Sequence, residues 1–145
     1  MISELAAHDG VSSLARGGGI SVLLSTADAM LAPATTIDGF VFACLVDQAT
    51  GMTLAWVPEQ GDIYAAAVAA GAADIANALA LMSARLATNE SVDDVIVTFS
   101  DYFHLIRPVS QDPAQQILLH VMLDRRRANL AMARREIRTF CATLT

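Results

Sequence analysis

The sequence predicts an α+β domain in three layers, a central five-stranded antiparallel sheet covered by helices on both faces. Two observations carry that expectation. The segments Phe40–Val46 and Gln116–Asp124 are apolar at nearly every position instead of every second one, which is the pattern of strands covered on both faces. The element order reads helix, two strands, long helix, three strands, helix (α-β-β-α-β-β-β-α), so helices are available to cover each side of one antiparallel sheet.

Residues 1–19 read as an irregular tail, broken by Gly10, Ser12, Ser13 and the Gly17-Gly18-Gly19 run, and residues 20–145 as the domain. Ile20 to Leu31 suits a short helix that Pro33 stops. Gly39 opens the first strand, and Asp47-Gln48-Ala49-Thr50-Gly51 is a hairpin turn in which Gly51 is free to take positive φ. Met52 to Val57 returns as the partner strand and Pro58 ends it.

A helix of about 26 residues follows, near 62–88, with Asp62 in its first turn. At 100° per residue its apolar side divides in two. Tyr64, Val68, Ile75, Leu79, Met82 and Leu86 make a stripe of large residues, expected to cover the sheet. Ala65, Ala69, Ala72, Ala76, Ser83 and Ala87 make a stripe of small ones, expected to admit another backbone closely. Three strands then follow, over 92–100, 102–109 and 116–124. The last helix spans about 126–141, with Leu130, Ala133, Ile137 and Cys141 at core spacing and Asp124 placed as its N-cap.

Composition narrows the function. The chain has 145 residues, 54% hydrophobic and 17% charged, which excludes a disordered or disulfide-stapled chain. Net charge is −6 and every basic residue is Arg; such a chain is a poor general nucleic-acid binder. The first ten residues lack a basic leader region, and the Ala-rich helix carries Asp74, Asn77 and Arg85, so neither a secretory signal nor membrane insertion is expected. Cys44 and Cys141 lie far apart in apolar contexts and read as reduced core thiols. The expected location is cytoplasmic.

Motifs for chemistry are weak. Gly17-Gly18-Gly19 cannot be a P-loop in a chain without Lys. His104 and His120 fall on neighbouring strands and face the same way by alternation, but only Asp101 and Asp124 stand anywhere near as further ligands, at no metal-binding spacing. No nucleophile elbow or cysteine-protease pattern is present. No catalytic residue, cofactor or metal is therefore expected. The unusual local feature is Arg125-Arg126-Arg127: six Arg face a single acid, Glu136, after position 124, whereas acids dominate before it. Three cations at a helix start oppose the macrodipole, so these three are read either as a solvated face neutralised by the acidic remainder of the chain or as a docking patch for an acidic partner surface.

With these elements placed, particular words acquire meaning. Gly39-Phe40-Val41-Phe42-Ala43-Cys44-Leu45-Val46-Asp47 followed by Thr50-Gly51-Met52-Thr53-Leu54-Ala55 resembles the opening hairpin of the Roadblock/dynein light chain domain, a profilin-like sandwich, and the Ala-rich helix falls where that family has its central helix. The runs Val97–Pro108 and Leu119–Ala131 resemble an actinobacterial branch of the family. The resemblance covers about residues 20–142. It implies a homodimer in which third strands pair and long helices lie side by side across the two-fold axis. The interface residues it selects here are Ala65, Ala69, Ala72, Ala76, Ser83, Val95 and Val97. It also implies a non-catalytic scaffold or regulator of nucleotide-driven proteins, with a small Ras-like GTPase as the expected partner and a small-molecule-sensing module as the alternative.

Overall fold

The computed structural model describes residues 29–87 and 89–144. The expected tail over 1–19, most of the first helix and Thr88 lie outside the described residues. Ala29 to Leu31 are helical and pass into a 3-10 turn, Ala32–Thr36, with Pro33 in its first turn. Strands β1 (Phe40–Asp47) and β2 (Thr53–Val57) form the hairpin. Helix α1 (Asp62–Leu86) leads to β3 (Val95–Thr98), β4 (Tyr102–Pro108) and β5 (Ile117–Asp124), and α2 (Leu130–Thr143) closes the chain. The sheet runs β2-β1-β5-β4-β3, antiparallel throughout.

The doubly apolar strands are the central ones, as their composition requires. From β1, Phe42, Cys44 and Val46 point to α1, while Ala43 and Leu45 point to the opposite face. From β5, Leu118 and Met122 join the first set, and Leu119, Val121 and Leu123 the second. The second face is closed by Ala133, Ile137, Phe140 and Cys141 of α2, with Leu31, Ala34 and Ile37 beside them. Each large side chain so enclosed contributes about 1.5–3 kcal/mol.

Two glycines adopt positive φ. Gly51 (φ 72°) completes the hairpin turn, donating to the Asp47 carbonyl at 2.8 Å. Gly39 (φ 82°) passes beneath the turn after β5, where a Cβ would stand 2.9 Å from both Ala128 N and Asp124 O.

The start of α2 differs from expectation. Asp124 belongs to β5, and its carboxylate accepts from Arg126 N at 2.9 Å. The helix begins six residues later, capped by Asn129, whose side-chain oxygen accepts from Met132 N at 3.1 Å. Arg125, Arg126 and Arg127 thus occupy a turn, not a helix start, and the dipole penalty expected of them does not arise. The third strand is also shorter than its apolar run, four residues instead of nine.

The face of α1 that lies innermost differs from the expectation. Ala65, Ala69, Ala72 and Ala73 are fully buried against the chain's own sheet. The large stripe is split: Val68 and Ile75 are half-buried against the same cluster, whereas Tyr64 is 44% exposed, Met82 50% and Leu86 62%, and only 22% of the helix's most apolar window is buried. The small side chains bring the helix axis close to the bulky strand residues Phe42, Val46, Ile106 and Met122, and that complementarity of large against small fills the layer.

Candidate functional site

At the β3 edge of the sheet, α1 and the strands leave an apolar groove of about 250 Å³. Its helix wall is Val68, Gly71, Ala72 and Ile75; its strand wall is Val97, Phe99 and Ile106; its floor holds His104 and His120. Phe99 is 54% exposed at the rim, and among the described residues no strand pairs with the outer side of β3. The groove therefore joins three surfaces that water solvates poorly: the outward row of α1, an exposed aromatic ring and an open strand edge.

The histidines are brought together. On β5, His120 faces α1 opposite Ile106, and on β4 His104 lies opposite Met122, which sets the two rings diagonally on one face. His104 Nδ1 and His120 Nε2 are 2.9 Å apart, so one ring's N–H donates to the other's bare nitrogen. His120 is 4% exposed and its Nδ1 has no partner. Burial, and next the adjacent His104, lower its pKa to about 3; burial also lowers that of His104. Both rings are neutral at pH 7. Phe99 meets His104 edge-on at 4.9 Å. No group of three or more metal-ligating side chains occurs among the described residues.

The residues expected at a dimer interface divide. Ala65 and Ala69 are covered by the sheet of their own chain, and Ala72, 1% exposed, reaches the outside only as part of the groove wall. Ala76 is half-buried against the same core, and Ser83 lines a separate cleft of about 290 Å³ between the end of α1 and the loop before β5. Val95 and Val97 remain at the β3 edge, half-buried. The correction is that Ala65, Ala69 and Ala72 of the small stripe lie innermost on the sheet, while the large stripe runs along its margin, half-buried at Val68 and Ile75 and exposed at Met82 and Leu86.

The three turn arginines divide as well. Arg125 donates to the carbonyls of Phe99 (2.8 Å) and Ser100 (3.3 Å) and lies over the Phe103 ring at 5.2 Å; it pins the β3–β4 turn. Arg126 projects, its side chain 84% exposed and 3.6 Å from Asp124, and Arg127 is exposed. The basic turn thus sits beside the rim of the groove, joined to it through Arg125.

A charge cluster on the opposite face was not foreseen. Arg134 grips Asp94 with two hydrogen bonds of 3.0 Å. Arg107, largely buried on β4, stands 3.9 Å from Asp94 and 3.6 Å from Asp93, and Arg138 stands 3.8 Å from Asp93. These contacts tie the approach to β3 down to α2. Nearby, burial pushes the Cys141 thiol up to about 11, and burial raises that of Cys44 still further, so both remain un-ionised core groups.

No protein-family profile matches the chain, and no curated protein matches its sequence. Solved structures match its fold. A Roadblock/LC7 domain from Streptomyces avermitilis is similar with a TM-score of 0.69 at 14% identity, over 81% of this chain and 92% of that one. Myxococcus xanthus MglB gives 0.66 at 18% identity, over 85% and 91%. An MglB with a tetrameric arrangement gives 0.67 at 16% identity, over 84% and 87%. The fold expected from the hairpin and the central helix is the fold observed.

Proposed function

We propose, starting from the Roadblock-type fold of this chain, that it is a self-associating, non-catalytic regulator or scaffold of a small Ras-like GTPase. The observation that carries the reading is the continuous apolar surface formed by the outward row of α1, the groove and the open β3 edge. A second copy is its occupant. The described residues lining the groove include no Asp, Glu or Arg, although the chain carries net charge −6; like-charged copies meet at least cost where neither presents a charge. An isologous contact there would pair β3 with its equivalent and cover Phe99 twice. The tetrameric arrangement of the similar MglB supports self-association.

The GTPase assignment rests on what the Roadblock resemblance implies, supported by the shared fold. The chain would act by favouring one conformation of its partner's own groups, a population shift. Insertion of α1 across a bilayer is not part of this reading: Ala65, Ala69 and Ala72 seat the helix on a sheet, whereas a spanning helix meets lipid or other helices. Both clefts fall below the roughly 300–1,000 Å³ usual for small-molecule sites, so the sensing alternative is the weaker one. The test is to mix the purified chain with the Ras-like GTPase encoded nearest to it. A complex on size-exclusion chromatography and an altered hydrolysis or exchange rate are expected; no complex together with unchanged rates removes the proposal.

A further inference from the structure

We propose that His104 makes self-association of this chain pH-dependent, strong while its ring is neutral and progressively weaker as the ring takes a second proton. The inference rests on the reading that a second copy covers the groove, and it adds the group that regulates that contact.

The geometry is specific. His104 sits on the groove floor, half-buried in the separate chain, with Nδ1 committed to His120 and Phe99 against its edge. Charging it requires a cation inside an apolar groove. Helix α1 faces it there with alanine, valine, glycine and isoleucine only, β3 with Val97, the turn after β3 with Phe99, and β4 with Ile106. On β5, His120 is buried and stays neutral. Asp124, in the same strand phase, lies with its β4 neighbour Tyr102 outside the groove lining, its carboxylate accepting from Arg126 N. On β1, Cys44 lies opposite His120 and is a neutral buried thiol. The guanidinium of Arg125, which reaches the rim at Phe99, is held at the Phe99 and Ser100 carbonyls and over Phe103. No carboxylate among the described residues lines the groove to compensate the charge. In the separate chain, water reaches His104 and relieves part of this cost; a second copy laid over the groove removes that water.

The sign follows from linkage. His104 is harder to protonate in the associated state than in the separate chain, so the associated state binds fewer protons. Association is then fully present above the separate chain's His104 pKa, itself lowered by burial, and is lost as pH falls through it. Each copy contributes one such group, so the association constant falls by at most about 100-fold per pH unit. General charge effects run the other way, since acidification reduces repulsion between two acidic chains.

The experiment measures the dimer dissociation constant by sedimentation equilibrium at pH 7.5 and pH 5.0, for the full chain and for His104→Gln. The proposal expects roughly tenfold weaker association of the wild type at pH 5.0 and little change for H104Q. An equal dissociation constant at both pH values overturns the inference while leaving the dimer reading intact; a monomer at both pH values overturns both. Equal acid weakening in wild type and H104Q places the sensor elsewhere and also overturns it. Should H104Q fail to fold, dilution calorimetry of the wild type at pH 5.5 in two buffers of different ionisation enthalpy decides. Proton uptake on dissociation supports the proposal, and none refutes it.

Discussion

Gly39 and Ala72 show how single positions fix this molecule. Gly39 combines a left-handed backbone with an approach that leaves no room for a Cβ beside Ala128 N and Asp124 O. Its carbonyl also accepts from Asp124 N at 2.8 Å. It therefore seats the turn that carries Arg126 and Arg127. Gly39→Ala is expected to cost about 1–3 kcal/mol, seen as a lower denaturation midpoint at unchanged m-value. At Ala72, which is buried between α1 and the sheet where the groove begins, three extra heavy atoms must crowd the strand residues or fill the groove. Ala72→Leu should destabilise the fold by about 1–3 kcal/mol through overpacking. Urea unfolding of the dilute chain checks this, and an unaltered midpoint would mean that Ala72 does not pack on the sheet.

At the scale of elements, the strands were legible and the orientation of the long helix was not. Phe40–Val46 and Gln116–Asp124 declare themselves because a strand covered on both faces has no polar phase. The hairpin follows from Gly51, and the strand end from Pro58. Helix α1 offers two apolar stripes, and a periodicity of 3.6 residues cannot say which one meets the sheet. The choice depends on the size of what opposes it, Phe42, Val46 and Met122, which are distant in sequence. The site was legible only in part for the same reason. Alternation placed His104 and His120 on one face, but their contact depends on the register of β4 against β5. Nothing local announces the Asp93, Asp94, Arg107, Arg134 and Arg138 cluster either, because its members come from three separate stretches. That cluster anchors the approach to β3. Asp94→Asn would leave the largely buried Arg107 short of a counter-charge and weaken the Arg134 clasp. The expected loss is about 1–3 kcal/mol, below that of a fully buried pair because Arg134 is 41% open. Asp93→Asn, at a side chain 67% exposed, should change stability by under about 0.5 kcal/mol. Thermal melts of the two variants check the contrast.

At the scale of the whole molecule, two kinds of surface meet at one end of the sheet: an uncharged apolar groove and a small basic turn on an otherwise acidic chain. Their adjacency separates two contacts that a single assay would merge. Phe99 stands at the rim, exposed and uninvolved in either core cluster, so Phe99→Glu places a carboxylate where the second copy must lie without opening the fold. Sedimentation should show the mass falling to that of one chain with the melting curve preserved; a dimer that persists would move the interface away from β3. Arg126 and Arg127 project from the turn instead, free of the groove lining. The double reversal Arg126→Glu, Arg127→Glu should leave the dimer intact and act only on a partner with an acidic surface. Rim charges act mainly through association rate and salt dependence. The expected result is roughly tenfold weaker GTPase binding at low salt, converging on the wild type as ionic strength rises and the Debye length shrinks to about 3 Å at 1 M. Binding that is equally tight at low salt in both proteins would assign these two arginines to solvent.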